Sequence, residues 1–146
     1  MQDRPSAAEL IATVQTWLER EVLPLLDDQR RRFEGLIAAN LLGIVERELR
    51  LGDELLLAEW QRLDRLFGSE TLLPPGTALA EALAERNRAL CARIAAGGFD
   101  AEPQRAALQA HLLQTAIDKL RIANPRLLAR VLPQLPADSG GGADGG

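Results

Sequence analysis

Apolar residues recur at three- and four-residue spacing along most of the chain, a pattern that predicts amphipathic α-helices. The first helix is expected to begin at Ser6, because Ser6 and Glu9 have the spacing of a capping box. Its apolar stripe runs from Leu10 to Val22, and Pro24 then forces a break or a kink.

The next apolar stretch predicts two helices that pack as an antiparallel hairpin. One runs from about residue 27 to 51, with Gly52 closing it in the left-handed conformation, and Asp53 caps the other, which ends at Gly68. The residues expected on the core face of the first of these helices are Phe33, Leu36, Ile37, Asn40, Leu41, Ile44, Val45 and Glu48.

The second half of the chain predicts two more helices after a loop at 71–76 that contains adjacent prolines. One covers about 77–96, and the other extends to Asn124 and is followed by a short turn. No segment alternates β-branched and polar residues as a strand does. The fold class expected is therefore an all-α, up-down helical bundle of five main helices plus a short C-terminal turn.

Size and composition predict one folded domain. Hydrophobic residues make up 47% and charged residues 26% of the 146, as in ordinary globular proteins. We expect the domain to cover residues 1–136. The glycine-rich tail at 137–146 has too little apolar surface to repay ordering and is expected to be disordered.

The net charge and the single histidine and cysteine exclude several classes of function. A net charge of −4 argues against nucleic-acid binding, and the absence of a long apolar run or a leader-like N-terminus predicts a cytoplasmic protein without a membrane span. His111 is the only histidine and Cys91 the only cysteine, so a metal site within one chain is not expected, and neither is a cofactor. Cys91 is expected to be a buried packing residue, not a nucleophile.

Two amides interrupt apolar stripes and therefore need hydrogen-bond partners. Asn40 lies between Leu36 and Ile44, and Asn87 lies between Leu83 and Leu90. Either the two amides fix helix register, or they line a ligand pocket. Both interpretations stay open from the sequence alone.

The last long helix carries a compact polar patch of His111, Thr115, Asp118 and Lys119. It is either a solvated face or, with Asn124 at the helix end, the edge of a cleft. The candidate ligand-binding residues are Asn40, Asn87, Asp118, Lys119 and Asn124. No catalytic and no metal-binding residue is assigned.

Two other features have plain structural interpretations. Arg30–Arg32 is the densest positive run, and the acidic residues around it favour a salt-bridge network over a phosphate site. Trp17 and Trp60 lie on apolar stripes and are expected to anchor the core.

Several short segments resemble, when taken together, a bacterial domain of unknown function. They are Asp3-Arg4-Pro5, Glu21-Val22-Leu23-Pro24, Ala38-Ala39-Asn40-Leu41-Leu42 with Glu48-Leu49, Leu90-Cys91-Ala92-Arg93-Ile94 and Lys119-Leu120-Arg121-Ile122-Ala123-Asn124-Pro125. Members of that family are small helical proteins, often encoded beside or joined to aminoglycoside-phosphotransferase-like kinases and acyl-CoA-dehydrogenase-like flavoenzymes. The resemblance implies an accessory role beside one of these enzymes.

The leading hypothesis is therefore an interaction module that binds such an enzyme and also forms a homodimer. The alternative is a small-molecule or acyl-chain binding protein. The third hypothesis, an enzyme that uses Asp118 or His111 as acid or base, has the least support because no catalytic set is present.

Overall fold

Five α-helices make up most of the chain that the computed structural model describes, which is residues 4–74 and 78–135. They are α1 (Ala7–Trp17), α2 (Gln29–Phe67), α3 (Ala78–Ala95), α4 (Gln104–Ala123) and α5 (Pro125–Val131). These two ranges contain no strand, and the expected all-α bundle is confirmed. Residues 71–74 have no regular structure, as expected of the loop, whereas 75–77 and the tail 137–146 lie outside the described residues.

The beginning and end of α1 follow local sequence chemistry. The Glu9 amide donates to Ser6 Oγ at 3.2 Å, and the Ser6 amide donates to the Glu9 carboxylate at 2.7 Å, so the capping box is confirmed. The helix then widens into a π-turn at Leu18–Val22 and tightens into a 3₁₀ turn at Leu23–Leu25. Pro24 lies in that turn and ends the helical path.

The hairpin expected around Gly52 is wrong, because α2 is one continuous helix of 39 residues. It is about 58 Å long, and Gly52 and Asp53 lie in its interior. A helical glycine costs only about 1 kcal/mol, and contacts on both sides of it offset that cost: Arg47 and Arg62 both hydrogen-bond to α4. The left-handed glycine that ends this helix is Gly68, with φ 65°.

The predicted core face of α2 is also wrong. In its N-terminal half, α2 packs against α1 and the turn after it through the small residues Gly35, Ala39 and Gly43. A Cβ atom on Gly43 would lie 3.1 Å from the Gln15 side chain of α1. The small side chains let α1 approach closely, and the large apolar residues of α2 are consequently left on its outer side.

The main core lies around the C-terminal half of α2. It consists of Trp60, Leu63, Leu83, Leu90, Phe99 and Leu108. Arg86 covers the Trp60 ring at 4.2 Å from its centroid and pairs with Asp64 at 2.7 Å, which closes the edge of this core. The anchor role of Trp60 is confirmed, whereas that of Trp17 is wrong, because Trp17 is 58% exposed.

Cys91 differs from its expected place as well. Its neighbour Leu90 is buried in the core, but Cys91 is exposed. One residue turns a helix by about 100°, which carries the thiol off the packed face of α3.

Candidate functional site

A cluster of buried polar side chains lies where α2 packs against α3 and α4. Its members are Glu59 and Arg62 on α2, Asn87 on α3, and His111, Thr115 and Asp118 on α4. The four- and three-residue steps from His111 to Thr115 to Asp118 place the α4 members on one side of that helix. The packing of the three helices therefore brings these six side chains together.

An ion pair joins α2 to α4 at the centre of the cluster. Arg62 donates to Asp118 Oδ2 at 2.8 Å, and Gln114 Nε2 donates to Asp118 Oδ1 at 2.9 Å. The Arg62 and Asp118 side chains are only 15% and 9% exposed. Charges this far from water need each other, because each would bear a desolvation penalty if it were left alone.

A second contact joins α2 to α3. Asn87 Nδ2 donates to Glu59 Oε1 at 2.8 Å, and Glu59 is 9% exposed. The hydrogen bond supplies a partner to a carboxylate that is largely removed from water. It also fixes the register of α3 on α2.

His111 lies between these contacts and is 5% exposed. Burial lowers the pKa of His111 below its usual value of 6.5, the positive charge of Arg62 lowers it further, and the charge of Glu59 opposes both effects. The imidazole is therefore neutral at pH 7. Among the described residues, neither His111 Nδ1 nor Thr115 Oγ1 has a hydrogen-bond partner.

An open cleft of about 750 Å³ borders the cluster between α2, α4 and the C-terminal segment. Its lining residues are Arg62, Arg65, Leu66, Ala107, Ala110, His111, Leu113, Gln114, Ile117, Leu132 and Leu135. Seven of these residues are apolar, two are arginines and none is acidic. The cleft therefore offers apolar walls and positive charge.

Comparison with protein families gives a match. A family model described as a domain of unknown function, DUF6285, matches residues 24–127, which is most of the chain. The chain belongs to the DUF6285 family. No curated protein and no solved structure matches it. The match covers α2, α3 and α4 and so includes the whole polar cluster of this DUF6285 domain.

Two of the five candidate residues named from sequence meet in the cluster. Asp118 and Asn87 are both held by side chains of α2. Lys119, next to Asp118, is exposed. The solvated-face interpretation of the α4 patch is consequently wrong for His111 and Asp118, which are buried.

The other two candidates lie elsewhere on the DUF6285 domain. Asn40 is exposed, and with Asn124 it lines a smaller cleft of about 260 Å³. Asn124 also caps α5, since its Oδ1 accepts the Leu127 amide at 3.0 Å. Asn40 precedes Glu59, the partner of Asn87, by 19 residues on one helix, roughly 28 Å. The two amides therefore do not meet, and a ligand role for any of the five residues stays a prediction.

Sequence reasoning missed Glu59 and Arg62. The pattern contained them, because Glu59 lies four residues from both Leu55 and Leu63, as Asn40 and Asn87 lie among their own leucines. A charged side chain within an apolar row most often lies at the surface, so its position in the row does not by itself predict burial.

Two further observations concern metal binding and membrane insertion. Within the described ranges, no group of three or more histidine, cysteine or acidic side chains is placed to hold a metal ion. Among the same residues, no helix combines the length and the apolar character needed to cross a bilayer.

Proposed function

We propose that this DUF6285 protein is an accessory interaction module that binds an enzyme through the outer face of α1. The observation that carries the proposal is an exposed apolar stripe on this helix. Leu10, Val14 and Trp17 are 46%, 50% and 58% exposed, and their spacing places them on one side. We call these three residues the α1 stripe.

The α1 stripe is distinct from the face by which α1 holds to the fold. The side chains turned toward α2 include Ile11, Gln15 and Leu18, all partly buried. A helix with one apolar face for its own fold and a second one in water is typical of a docking element. Tryptophan is also among the residues that contribute most to protein interfaces.

The resemblance noted above supplies the partner classes: an aminoglycoside-phosphotransferase-like kinase or an acyl-CoA-dehydrogenase-like enzyme. Both are expected to meet the module in the cytoplasm. The matching surface would be an apolar groove wide enough for one helix.

Coexpression of the tagged full chain with each neighbouring enzyme tests this proposal. We expect one enzyme to copurify, and Val14→Asp to weaken its retention by on the order of tenfold. Leu72→Asp is the matched control, since Leu72 is 97% exposed and lies outside α1. Failure of both enzymes to copurify, or equal retention by Val14→Asp, would contradict the proposal.

A second function, binding of a small amphipathic molecule such as an acyl chain, is supported by the cleft between α2 and α4. Its apolar walls suit a hydrocarbon chain, and Arg65 and Arg62 at its edge suit a carboxylate. Asp118 already pairs with Arg62, so we expect Arg65 to be the arginine that binds the carboxylate of the ligand.

Calorimetric titration with dodecanoate and with the uncharged dodecyl maltoside distinguishes this function. Binding of dodecanoate alone, weakened by Arg65→Ala and by Leu113→Asp, would support it. No binding, or equal binding of the uncharged detergent, would contradict it. Leu72→Asp again serves as the control.

A further inference from the structure

The outer side of α2 carries five large apolar residues at strict four-residue spacing. Phe33, Ile37, Leu41, Val45 and Leu49 are 63%, 45%, 55%, 44% and 53% exposed. We call them the α2 stripe. A monomeric soluble protein rarely leaves a row of this size in water.

The position of α1 explains why the row is uncovered. α1 packs on the side of α2 that contains Ala39, and Ile37 and Leu41 each lie two residues from Ala39. Two residues turn a helix by about 200°, which is about 160° when measured the shorter way around the axis. The centre of the α2 stripe therefore points away from α1.

We infer that a second copy of this chain covers the α2 stripe, with the two α2 helices antiparallel about a twofold axis. A fully exposed large apolar residue presents roughly 200 Å². At the exposures given above, the stripe offers about 520 Å² per protomer and about 1,040 Å² in a dimer. That area is just above the roughly 1,000 Å² that a specific interface needs.

Charge complementarity selects a second copy and the antiparallel direction. Arg30 lies at the N-terminal end of the α2 stripe, seven residues before Ile37 and therefore on the same side of the helix. At the other end, Glu48 lies seven residues after Leu41 on that same side. An antiparallel pair brings Arg30 of each copy toward Glu48 of its partner, whereas a parallel pair opposes arginine to arginine.

Arg30 can exchange its present partner for this contact. Arg30 pairs with Glu34 at 3.0 Å on its own helix, but their side chains are 87% and 57% exposed. An exposed pair of this kind is weak and is exchanged at little cost.

Sedimentation equilibrium of the full chain tests the dimer. At about 100 µM we expect twice the 15.9 kDa of one chain. Ile37→Glu should shift the mass toward the monomer without loss of helical circular dichroism, since the side chain is half exposed. Leu72→Glu and Val14→Asp should leave the dimer intact. A monomeric full chain, or a dimer that survives Ile37→Glu, overturns the inference.

Spin-label distances test the direction, on a Cys91→Ser background. In an antiparallel pair, labels at Asn40→Cys lie within about 20 Å of each other, and labels at Arg30→Cys lie roughly 30 Å apart along the axis. A short distance at both positions would mean a parallel pair and would overturn the inference. Because Val14→Asp alters only the α1 stripe, failure of enzyme docking and failure of the dimer are separate results.

Discussion

Loss of the Asp118 carboxylate should destabilise the protein more than any ordinary surface change. Asp118→Ala leaves the Arg62 guanidinium, 15% exposed, without its partner, and it also removes the acceptor of Gln114. Breaking a buried pair costs about 3–5 kcal/mol. Because neither side chain is fully buried, we expect about 2–4 kcal/mol, a large part of the 5–15 kcal/mol typical of a domain.

Replacing both members of the pair should be far milder. The double variant Arg62→Met, Asp118→Leu leaves neither charge of this pair buried alone, and we expect it to lie within about 1 kcal/mol of the natural protein. The coupling energy between the two positions, calculated from this double variant and the single variants Arg62→Met and Asp118→Leu, should reach at least about 2 kcal/mol. Glu85→Ala is the matched control, because the Glu85 and Arg88 side chains are 72% and 69% exposed, and it should cost less than about 0.5 kcal/mol.

Urea unfolding, followed by circular dichroism, measures the free energy of unfolding of each variant. All variants are compared at the same protein concentration, because self-association would make stability depend on concentration. With an m-value of about 2 kcal/mol/M, Asp118→Ala should lower the midpoint by about 1–2 M. A loss below about 1 kcal/mol, or single-variant effects that simply add in the double variant, would refute the account of this pair.

Three further predictions follow from single residues. The pKa of His111, measured by NMR titration, should lie below 6.5. The free energy of unfolding should therefore fall as the pH decreases through 6.5, because the unfolded chain then binds more protons than the folded one. A pKa of His111 at or above 6.5 would contradict this. Gly52→Ala should stabilise by up to about 1 kcal/mol, since the atoms nearest to the added Cβ belong to the flexible Glu48 side chain; a loss in urea unfolding would instead favour a helix break there. Gly35→Ala should destabilise by about 1–3 kcal/mol, because its Cβ would overlap Leu23; a gain in the same assay would contradict that packing.

Helix ends that depend on neighbouring residues could be predicted from the sequence. Features that depend on the packing of distant helices could not. The Ser6 and Glu9 capping box and the left-handed Gly68 act through neighbouring residues, and both are where the pattern places them. The effect of Gly52 depends on α4, which lies along α2 on both sides of it. A glycine that ends one helix can therefore lie inside another, and local pattern alone does not separate the two cases.

The candidate site was predictable in part for a similar reason. Asn87 could be chosen because an amide among leucines needs a partner, and Asp118 because it belongs to a polar patch on one side of its helix, but their partners lie 28 and 56 positions away along the chain. Amphipathic patterning also assigns the largest apolar residues to the core. In α2 that assumption fails, because the close approach of α1 and of the turn after it favours Gly35 and Ala39 over Phe33 and Leu41.

α2 is long enough to belong to two regions of the protein. The backbone hydrogen bonds of these two regions should open at very different rates. Around Leu63, six buried apolar residues from α2, α3, α4 and the loop between the last two form one cluster, whereas the half of α2 beside α1 buries few large side chains. Backbone amides near Leu63 should therefore exchange with solvent only on global unfolding, and those of α1 through local opening. A molecule bound to either apolar stripe would slow exchange at the N-terminal end and leave the Leu63 end unchanged, so amide exchange would show which half of the protein a partner contacts.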